Sequence, residues 1–137
     1  MTDVDRNTVQ EFRANKGQVG GALAGTPLIL IHHIGARSRI ERVTPLVCSP
    51  QDDGTFAIVA SNGGSVSHPA WYYNVMANPS VIVEFESETF SALAEEVTGQ
   101  DRDRLWPALL AGSPSLTAFD ESTERSIPLI LLRRHTP

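Results

Sequence analysis

The residues of this chain best suited to chemistry lie in one segment, residues 60–74. An apolar run ends at Ser61, a pair of glycines follows, and Pro69 precedes a short stretch that contains Trp71 and Asn74. Paired glycines allow backbone conformations that are closed to residues with a Cβ, and proline suits the first turn of a helix. The order predicts a strand, a tight turn and a helix, with Trp71 and Asn74 on one helix face. Such a site suits a planar, polar ligand, whereas a tight turn beside a core tryptophan is the alternative.

A second candidate site is a cluster of three arginines after the apolar run at residues 28–34. Arg37, Arg39 and Arg42 are three of the eleven basic residues of a chain whose net charge is −5. Guanidinium groups match the oxygens of phosphates and carboxylates, although a solvated basic loop is the alternative. The negative net charge gives no overall field that would attract nucleic acid. We therefore expect anion binding to be local and predict no nucleic-acid partner.

The histidines and the cysteine do not form a predicted metal site. His32 and His33 are neighbours on a predicted strand, so their side chains point to opposite faces and cannot chelate one ion together. His68 precedes Pro69 and could cap the helix. Cys48 is the only cysteine, which excludes an internal disulfide, and we expect it to be a small core residue.

The elements that must position these residues are mostly strands. With 137 residues, 41% of them hydrophobic, the chain predicts one domain that spans residues 1–137. Antiparallel strands joined by hairpins, with a helix inserted after the third, predict a small barrel of the mainly β (α+β) class. The predicted strands cover residues 28–34, 43–48, 55–61, 81–86, 89–97 and 127–132, and further helices cover about 100–111 and begin at Pro114.

The amino-terminal segment, residues 1–20, is predicted to be a mobile helical arm. Its apolar side chains, Val4, Val9 and Phe12, give only a weak amphipathic face, and no window of the segment is apolar enough to span a membrane. Membrane contact is therefore not favoured, and we expect a cytoplasmic protein.

From about Phe12 to Leu132 the chain resembles the deazaflavin-dependent nitroreductase family. The resemblance rests mainly on the turn at residues 60–64 and the helix at residues 69–74, supported by shorter segments in the same order. It implies a split β-barrel like those that bind FMN, with antiparallel strands and short flanking helices. It also implies coenzyme F420 as the cofactor and hydride transfer to an electrophilic, conjugated, hydrophobic substrate, namely an enone, a lactone, a quinone or a nitroarene.

The resemblance also implies roles for individual residues. Arg42 matches the phosphate-binding arginine of the family, Arg37 matches its tail-binding residue, and Ser61 would hydrogen-bond the electron-poor group of the substrate. The full set of cofactor-binding residues implied is Arg37, Ser38, Arg42, Thr44, Pro45, Ala60, Ser61, Asn62, Gly63, Gly64, Trp71, Asn74 and Met76.

The sequence departs from the family pattern at three places. Arg39 stands where a glycine is usual. Asn62 replaces a lysine in the glycine turn, which removes a positive charge near the expected phosphate. Leu116 and Phe119 stand where tyrosines are frequent, so the substrate pocket, to which we add Tyr72, has a more apolar wall. Proton delivery then falls to Ser61 or to water, and a hydrophobic acceptor fits better than a nitro compound.

Three alternatives stay open. A split barrel could bind FMN in place of F420, and a yellow protein would favour that reading. The chain could also store or carry the deazaflavin or a hydrophobic ligand without turnover. Split barrels often pair, so a homodimer is an expectation, although no feature of the sequence establishes it.

Overall fold

The computed structural model describes residues 3–21 and 24–135, and it contains one seven-stranded antiparallel sheet and four α-helices. The elements in chain order are α1 (Asp3–Ala14), β1 (Leu28–Ile34), β2 (Glu41–Val47), β3 (Ser49–Pro50), β4 (Phe56–Val59), a 3-10 turn (Asn62–Gly64), α2 (Ala70–Ala77), β5 (Ser80–Phe85), β6 (Glu88–Val97), α3 (Gly99–Ala111), α4 (Pro114–Ser122) and β7 (Leu129–Arg134).

The connectivity of the sheet closes it into a barrel. The strand order is β2-β1-β5-β6-β7-β4-β3, so β2 and β3 lie at its two ends. In a flat sheet these ends would be about 29 Å apart, since neighbouring strands are separated by about 4.8 Å. Only Cys48 separates β2 from β3 along the chain, and one residue spans about 7 Å. The sheet must therefore curl until its ends meet, and the predicted split β-barrel is confirmed.

The barrel interior contains the main core, because alternate residues of each strand point inward. Ile29 and Ile31 of β1 pack there with Ile58, Ile130 and Leu132. The other strand faces are covered from outside. Helix α1 covers the β1–β2 side, and α3 covers β7 and the end of β6.

Helix α1 is docked on the barrel. The side chains of Val9 and Phe12 are buried against Leu28 and Leu30, and Phe12 is only 1% exposed. Mobility of residues 1–20 is not tested by this packing and stays a prediction. Residues 1 and 2 and the side chain of Val4 lie outside the described residues.

A polar cluster also ties α1 to the outer face of the barrel. The guanidinium of Arg13 donates to both carboxylate oxygens of Glu84, over 3.0 and 2.7 Å. Glu84 also contacts His32, whose other ring nitrogen faces Glu41. The hydrogen bond from Arg13 is the main reason that the pKa of Glu84 is lowered. His32 thus points outward and His33 inward, as predicted.

The strand boundaries show where the sequence patterns were incomplete. β1 has the predicted bounds, while β2 begins at Glu41 instead of residue 43. β4 ends at Val59, short of the predicted Ser61. Ala60 stays in register and donates to the carbonyl of Pro128, but Pro128 has no N–H to donate in return. The two-residue strand β3 was not predicted, since Ser49–Pro50 carries no strand pattern. Pro69 is the N-cap of α2 and not part of its first turn.

Within residues 3–21 and 24–135 no helix is long and apolar enough to cross a membrane.

Candidate functional site

A cleft lies where the barrel is split. Because β3 pairs with β4 through only two residues, the rest of β4 faces the edge of β2 across a gap. The cleft there has a volume of about 750 Å³, within the range of small-molecule sites. Its lining comes from β2 (Pro45, Leu46, Val47), from β4 and the residues after it (Ala57, Ile58, Val59, Ser61), and from α3 and α4 (Leu109, Leu116, Phe119), with further residues near Cys48 and Gly112.

The register of the sheet relates the two walls of the split. Ser49 pairs with Ala57, and β2 continues into β3 through Cys48. When this antiparallel register is extended along β2, Ser61 lies level with Pro45 and Asn62 with Thr44. The glycine turn therefore lies across the split from the residues that follow the arginine cluster. Segments that are far apart in the sequence meet at one end of the cleft.

Helix α4 forms an apolar wall of the cleft and packs against the glycine turn. Pro114 begins the helix as predicted, and its N-cap Ser113 accepts a hydrogen bond from the N–H of Leu116. Gly64 has a φ of +83°, and a Cβ there would lie 2.9 Å from the Ser122 hydroxyl oxygen. Glycine is therefore required for this contact, and α4 and the glycine turn fix each other's position.

Cys48 lines the cleft near the point where β2 and β3 meet, and it is 4% exposed. Burial raises the pKa of its thiol to about 12. A thiol in this state is protonated at neutral pH and is a poor nucleophile. Cys48 is therefore a small buried residue, as predicted.

The arginine cluster lies on a compact turn between β1 and β2. The N–H of Gly35 donates to the carbonyl of Ile40, and the hydroxyl of Ser38 accepts from the N–H of Ile40 over 3.3 Å. A Cβ at Gly35 would lie 2.2 Å from that hydroxyl oxygen, so only glycine fits. Ser38 thus shapes the turn.

The three arginines of that turn are available for an anion. Arg37, Arg39 and Arg42 are exposed, and no residue in the described part of the chain forms an ion pair with them. On β2, Arg42 pairs with His33 and Thr44 pairs with Ile31. Opposed residues of an antiparallel pair share a face, so Arg42 and Thr44 lie on the inward face of the edge strand.

A buried chain of hydrogen bonds anchors the arginine turn to α2. The N–H of Ala36 donates to Asn74 Oδ1 over 2.9 Å, so the amide nitrogen of Asn74 faces His33 Nδ1, 3.1 Å away. An amide nitrogen only donates, which places the imidazole proton on Nε2, where it is donated to Thr44 Oγ1 over 2.8 Å. The pKa of His33 is lowered, mainly by burial and to a smaller extent by the positive charge of Arg42. A neutral histidine therefore links Asn74 to Thr44.

Two residues predicted to form a flat slot lie elsewhere. Trp71 is 7% exposed and packs in the barrel interior with Val75, and Met76 packs against the same core. Neither lines the cleft. Trp71 and Asn74 do share the buried face of α2, as predicted, but that face is directed at the barrel core and the arginine turn. A contact of Trp71, Met76 or Asn74 with a cofactor stays a prediction.

Tyr72 also lies outside the cleft lining. Its hydroxyl donates to the carboxylate of Glu96, and this hydrogen bond is the main reason that its pKa is raised to about 12. Its ring packs beside those of His68 and Tyr73. Its place in a substrate pocket is therefore not supported by a contact with the cleft, and it stays a prediction.

One residue of the site region had no clear sequence signal. Arg125, from the segment between α4 and β7, binds the segment that carries the glycine turn through all three of its guanidinium nitrogens. One of these nitrogens also faces His68 Nδ1, so His68 does not cap α2 as predicted. The sequence showed only that an arginine precedes the last strand.

Comparison with known proteins identifies relatives over nearly the whole chain. The family described as F420H(2)-dependent quinone reductase matches residues 4–134. The F420H(2)-dependent quinone reductase Rv1261c of Mycobacterium tuberculosis (strain ATCC 25618 / H37Rv) is 33% identical over 127 residues, which cover 90% of this chain and 85% of the relative.

Solved structures give the same result for the fold. An F420-H2 dependent reductase (FDR-A) superposes with a TM-score of 0.69 at 33% identity and covers 78% of this chain and 94% of its own. A second solved chain, described as a domain-swapped dimer, superposes with a TM-score of 0.71 at 30% identity and covers 93% of both chains.

Proposed function

Because the chain belongs to the F420H(2)-dependent quinone reductase family, we propose that it uses coenzyme F420 to reduce a hydrophobic, conjugated acceptor in the cleft of the split barrel. Quinones are the acceptor class we favour, ahead of enones, lactones and nitroarenes. The observation that carries the proposal is the position of Ser61. Ser61 lines the cleft together with the apolar Leu116 and Phe119, and none of the described residues forms a hydrogen bond with its hydroxyl.

The groups around the cleft fit the chemistry of this cofactor, which combines a planar ring, a phosphate and an acidic tail. Arg37 and Arg42 would hold the phosphate and the tail, since neither guanidinium is neutralised by an ion pair within the described residues. The backbone N–H groups of Ser61 and Asn62, which have no hydrogen-bond acceptor among the described residues, would bind oxygens of the ring or the phosphate. Asn62 is uncharged, and its side-chain amide donates to the carbonyl of Ser67.

The residues of the cleft would act on the acceptor once the cofactor is bound. Reduced F420 supplies a hydride, and the acceptor also takes up one proton. The Ser61 hydroxyl donates a hydrogen bond to the acceptor oxygen as negative charge develops there. Donors of this kind contribute about 10²–10³-fold to turnover. The apolar wall formed by Leu116 and Phe119 excludes water and binds the hydrophobic body of the substrate.

The proton comes from Ser61 or from water. Tyr72 is a less suitable proton donor. Its hydroxyl donates to Glu96, its pKa is raised to about 12, and the residue does not line the cleft. We therefore assign no catalytic role to its hydroxyl.

The proposal is tested by cofactor titration and by turnover. Purified protein is titrated with oxidised F420 and followed by fluorescence, and reduced F420 is then supplied anaerobically with a panel of quinones, enones and nitroarenes. We expect saturable binding at micromolar concentrations and turnover that is fastest with quinones. Ser61→Ala should lower kcat by about 10²-fold with little change in F420 affinity, whereas Ser65→Ala, in the same segment but not in the cleft lining, should match the wild type.

Other outcomes would contradict the proposal. Binding without oxidation of reduced F420 on any acceptor would indicate a storage protein. A yellow protein that retains FMN on purification would indicate the other cofactor. Equal turnover in the two serine variants would remove Ser61 from the reaction.

Arg42 is tested separately through its charge. Arg42→Gln should weaken F420 binding more at low salt than at high salt, because added ions already screen the contact in the wild type. Arg104→Gln is the matched control, since Arg104 lies on α3 and has only a loose pair with Asp101 at 3.8 Å. An unchanged affinity in Arg42→Gln at low salt would exclude the residue from the site.

A homodimer is also proposed. It is supported by the similar chain described as a domain-swapped dimer and by exposed apolar side chains on the outside of the barrel, Val47, Ile82 and Leu93. Sedimentation velocity at micromolar concentration tests it, and a single species of about 15 kDa would contradict it.

A further inference from the structure

Arg125 contacts the segment that carries the glycine turn through every nitrogen of its guanidinium group. Its Nη2 donates to the carbonyl of Ser61 over 2.6 Å and to that of Ala60 over 3.2 Å, and its Nε donates to the carbonyl of Ser65 over 2.8 Å. The third nitrogen, Nη1, lies 2.9 Å from His68 Nδ1. One guanidinium thus holds three carbonyls and one imidazole within nine consecutive residues, 60–68. It does not line the cleft itself.

These contacts determine which way two successive peptide groups face. In a trans peptide the carbonyl and the N–H of the next residue point in opposite directions. Since Arg125 attracts the carbonyls of Ala60 and Ser61, the N–H groups of Ser61 and Asn62 must point away from it. Ser61 has right-handed helical angles and Asn62 has a φ of +49°, and this alternation makes successive N–H groups converge on one point.

The converging N–H groups are available to a ligand. The N–H groups of Gly64 and Ser65 are used inside the turn, where they donate to the carbonyls of Ser61 and Asn62. The N–H groups of Ser61 and Asn62 have no acceptor among the residues that the structure describes. Because Ser61 lines the cleft, this set of donors lies at its wall.

We propose that Arg125 is a positioning residue that orients the N–H groups of Ser61 and Asn62 toward an electron-rich oxygen of the cofactor, without touching the cofactor itself. The inference rests on the proposed function for the identity of the ligand. The orientation of the two peptides rests on the contacts of Arg125 alone.

Arginine is required for this role because of its shape. The planar guanidinium presents several donors in a fixed arrangement and reaches acceptors on both sides of the turn. Lysine carries the same charge but concentrates its donors on one atom, which cannot replace Nε and Nη2 together. Arg125→Lys should therefore lose the orientation while keeping the charge.

The experiment compares the wild type with Arg125→Lys, Arg125→Gln and the control Arg104→Gln. Amide ¹H–¹⁵N spectra of the ligand-free proteins report on the turn, and melting curves establish that each variant is folded. We expect large shifts for the signals of Ser61 and Asn62 in both Arg125 variants and none in the control. If Arg125→Gln does not fold, Arg125→Lys, which keeps the charge and the aliphatic stem, gives the result.

F420 titration at several salt concentrations then separates positioning from direct contact. We expect both Arg125 variants to bind F420 about tenfold more weakly or worse. A tenfold loss of affinity corresponds to the loss of one charge-assisted hydrogen bond. The salt dependence of log Kd should stay that of the wild type, whereas Arg42→Gln should reduce it. A reduced salt dependence in Arg125→Gln, or wild-type affinity in Arg125→Lys, would overturn the inference.

Failure of the two proposals would look different. If the wild-type protein does not bind F420, the proposed function and the assigned ligand are contradicted. The amide signals of the Arg125 variants still test whether Arg125 orients the two peptide groups. Unchanged Ser61 and Asn62 signals in Arg125→Lys contradict the positioning role even if the wild type binds F420.

Discussion

Asn74→Ala should be costly, because the side chain of Asn74 connects α2 by hydrogen bonds to the arginine turn and to His33. The substitution leaves His33 Nδ1, which is buried, without its donor, at a cost of about 1–3 kcal/mol. It also removes the acceptor of the more exposed Ala36 N–H, at about 1 kcal/mol. The sum of about 2–4 kcal/mol corresponds to a decrease in Tm of about 7–14 °C for a chain of this length.

Urea denaturation and calorimetry measure this loss, and Asn78→Ala is the control. Asn78 lies just after α2, and its side chain makes no hydrogen bond with the described residues, so its removal should cost less than about 0.5 kcal/mol. F420 binding should weaken in Asn74→Ala, because the arginine turn loses its anchor. Equal stability of the two variants would refute the network.

Asn74→Asp tests the assigned tautomer. A carboxylate still accepts from Ala36, but it cannot donate to His33 Nδ1, so the imidazole must carry its proton on Nδ1. The negative charge opposes the effects of burial and Arg42, and the pKa of His33 should rise relative to the wild type.

In the wild type the lowered pKa of His33 contributes stability that is present above about pH 6.5 and is lost as the pH falls below it. The stability difference between wild type and Asn74→Asp should therefore shrink from pH 7.5 to pH 5.5, and unmoved His33 signals in an NMR titration would contradict the assignment.

Three further predictions concern α1, Tyr72 and the apolar wall of the cleft. Phe12→Ala should lower the free energy of unfolding by about 3–5 kcal/mol, because its ring is fully buried between α1 and the barrel; a loss below about 1 kcal/mol in urea denaturation would show that α1 is not docked. Tyr72→Phe should leave kcat unchanged. It should also flatten the loss of stability between pH 10 and pH 12, because the raised pKa of Tyr72 contributes stability that is lost as the pH rises through this range; a wild-type pH profile in this variant would count against the Glu96 contact. Phe119→Tyr places a hydroxyl donor at the cleft wall and should raise the rate of nitroarene reduction relative to quinone reduction, and an unchanged ratio of the two kcat/KM values would indicate that the ring does not reach the acceptor.

The strands and helices were largely predictable, because their signals are local. The apolar run at residues 28–34 and the alternation at residues 89–97 identify β1 and β6 within a residue. The strand β3 had no such signal, since it is defined only by its partner β4. Its shortness nevertheless creates the split, so the feature that makes the cleft was the one that periodicity could not reveal.

Some residues of the candidate site were predictable, but the part of the protein that the buried face of α2 contacts was not. Ser61, Pro45, Leu116 and Phe119 were predicted as site residues, and all line the cleft. Trp71 was assigned to the ligand, but the face that it shares with Asn74 is directed inward. The spacing of Trp71 and Asn74 shows that they share a helix face, but it does not show which part of the protein that face contacts.

The contacts of Arg125 could not be predicted for a related reason. They join a side chain to main-chain carbonyls about sixty residues away, and every residue has a carbonyl. Such contacts leave no pattern of residue types in the sequence, so only the three-dimensional structure reveals them.

The shortness of β3 has a consequence for how ligands can be detected. Along the split, the edge of β2 and the end of β4 have no neighbouring strand among the residues that the structure describes, so the amides that face the gap are not protected by a partner strand. Deuterium should therefore enter these two strands faster than it enters β5 or β6, which are paired on both sides. A molecule seated in the gap would slow that uptake, and mass spectrometry could then map an unlabelled and colourless acceptor by the amides it covers.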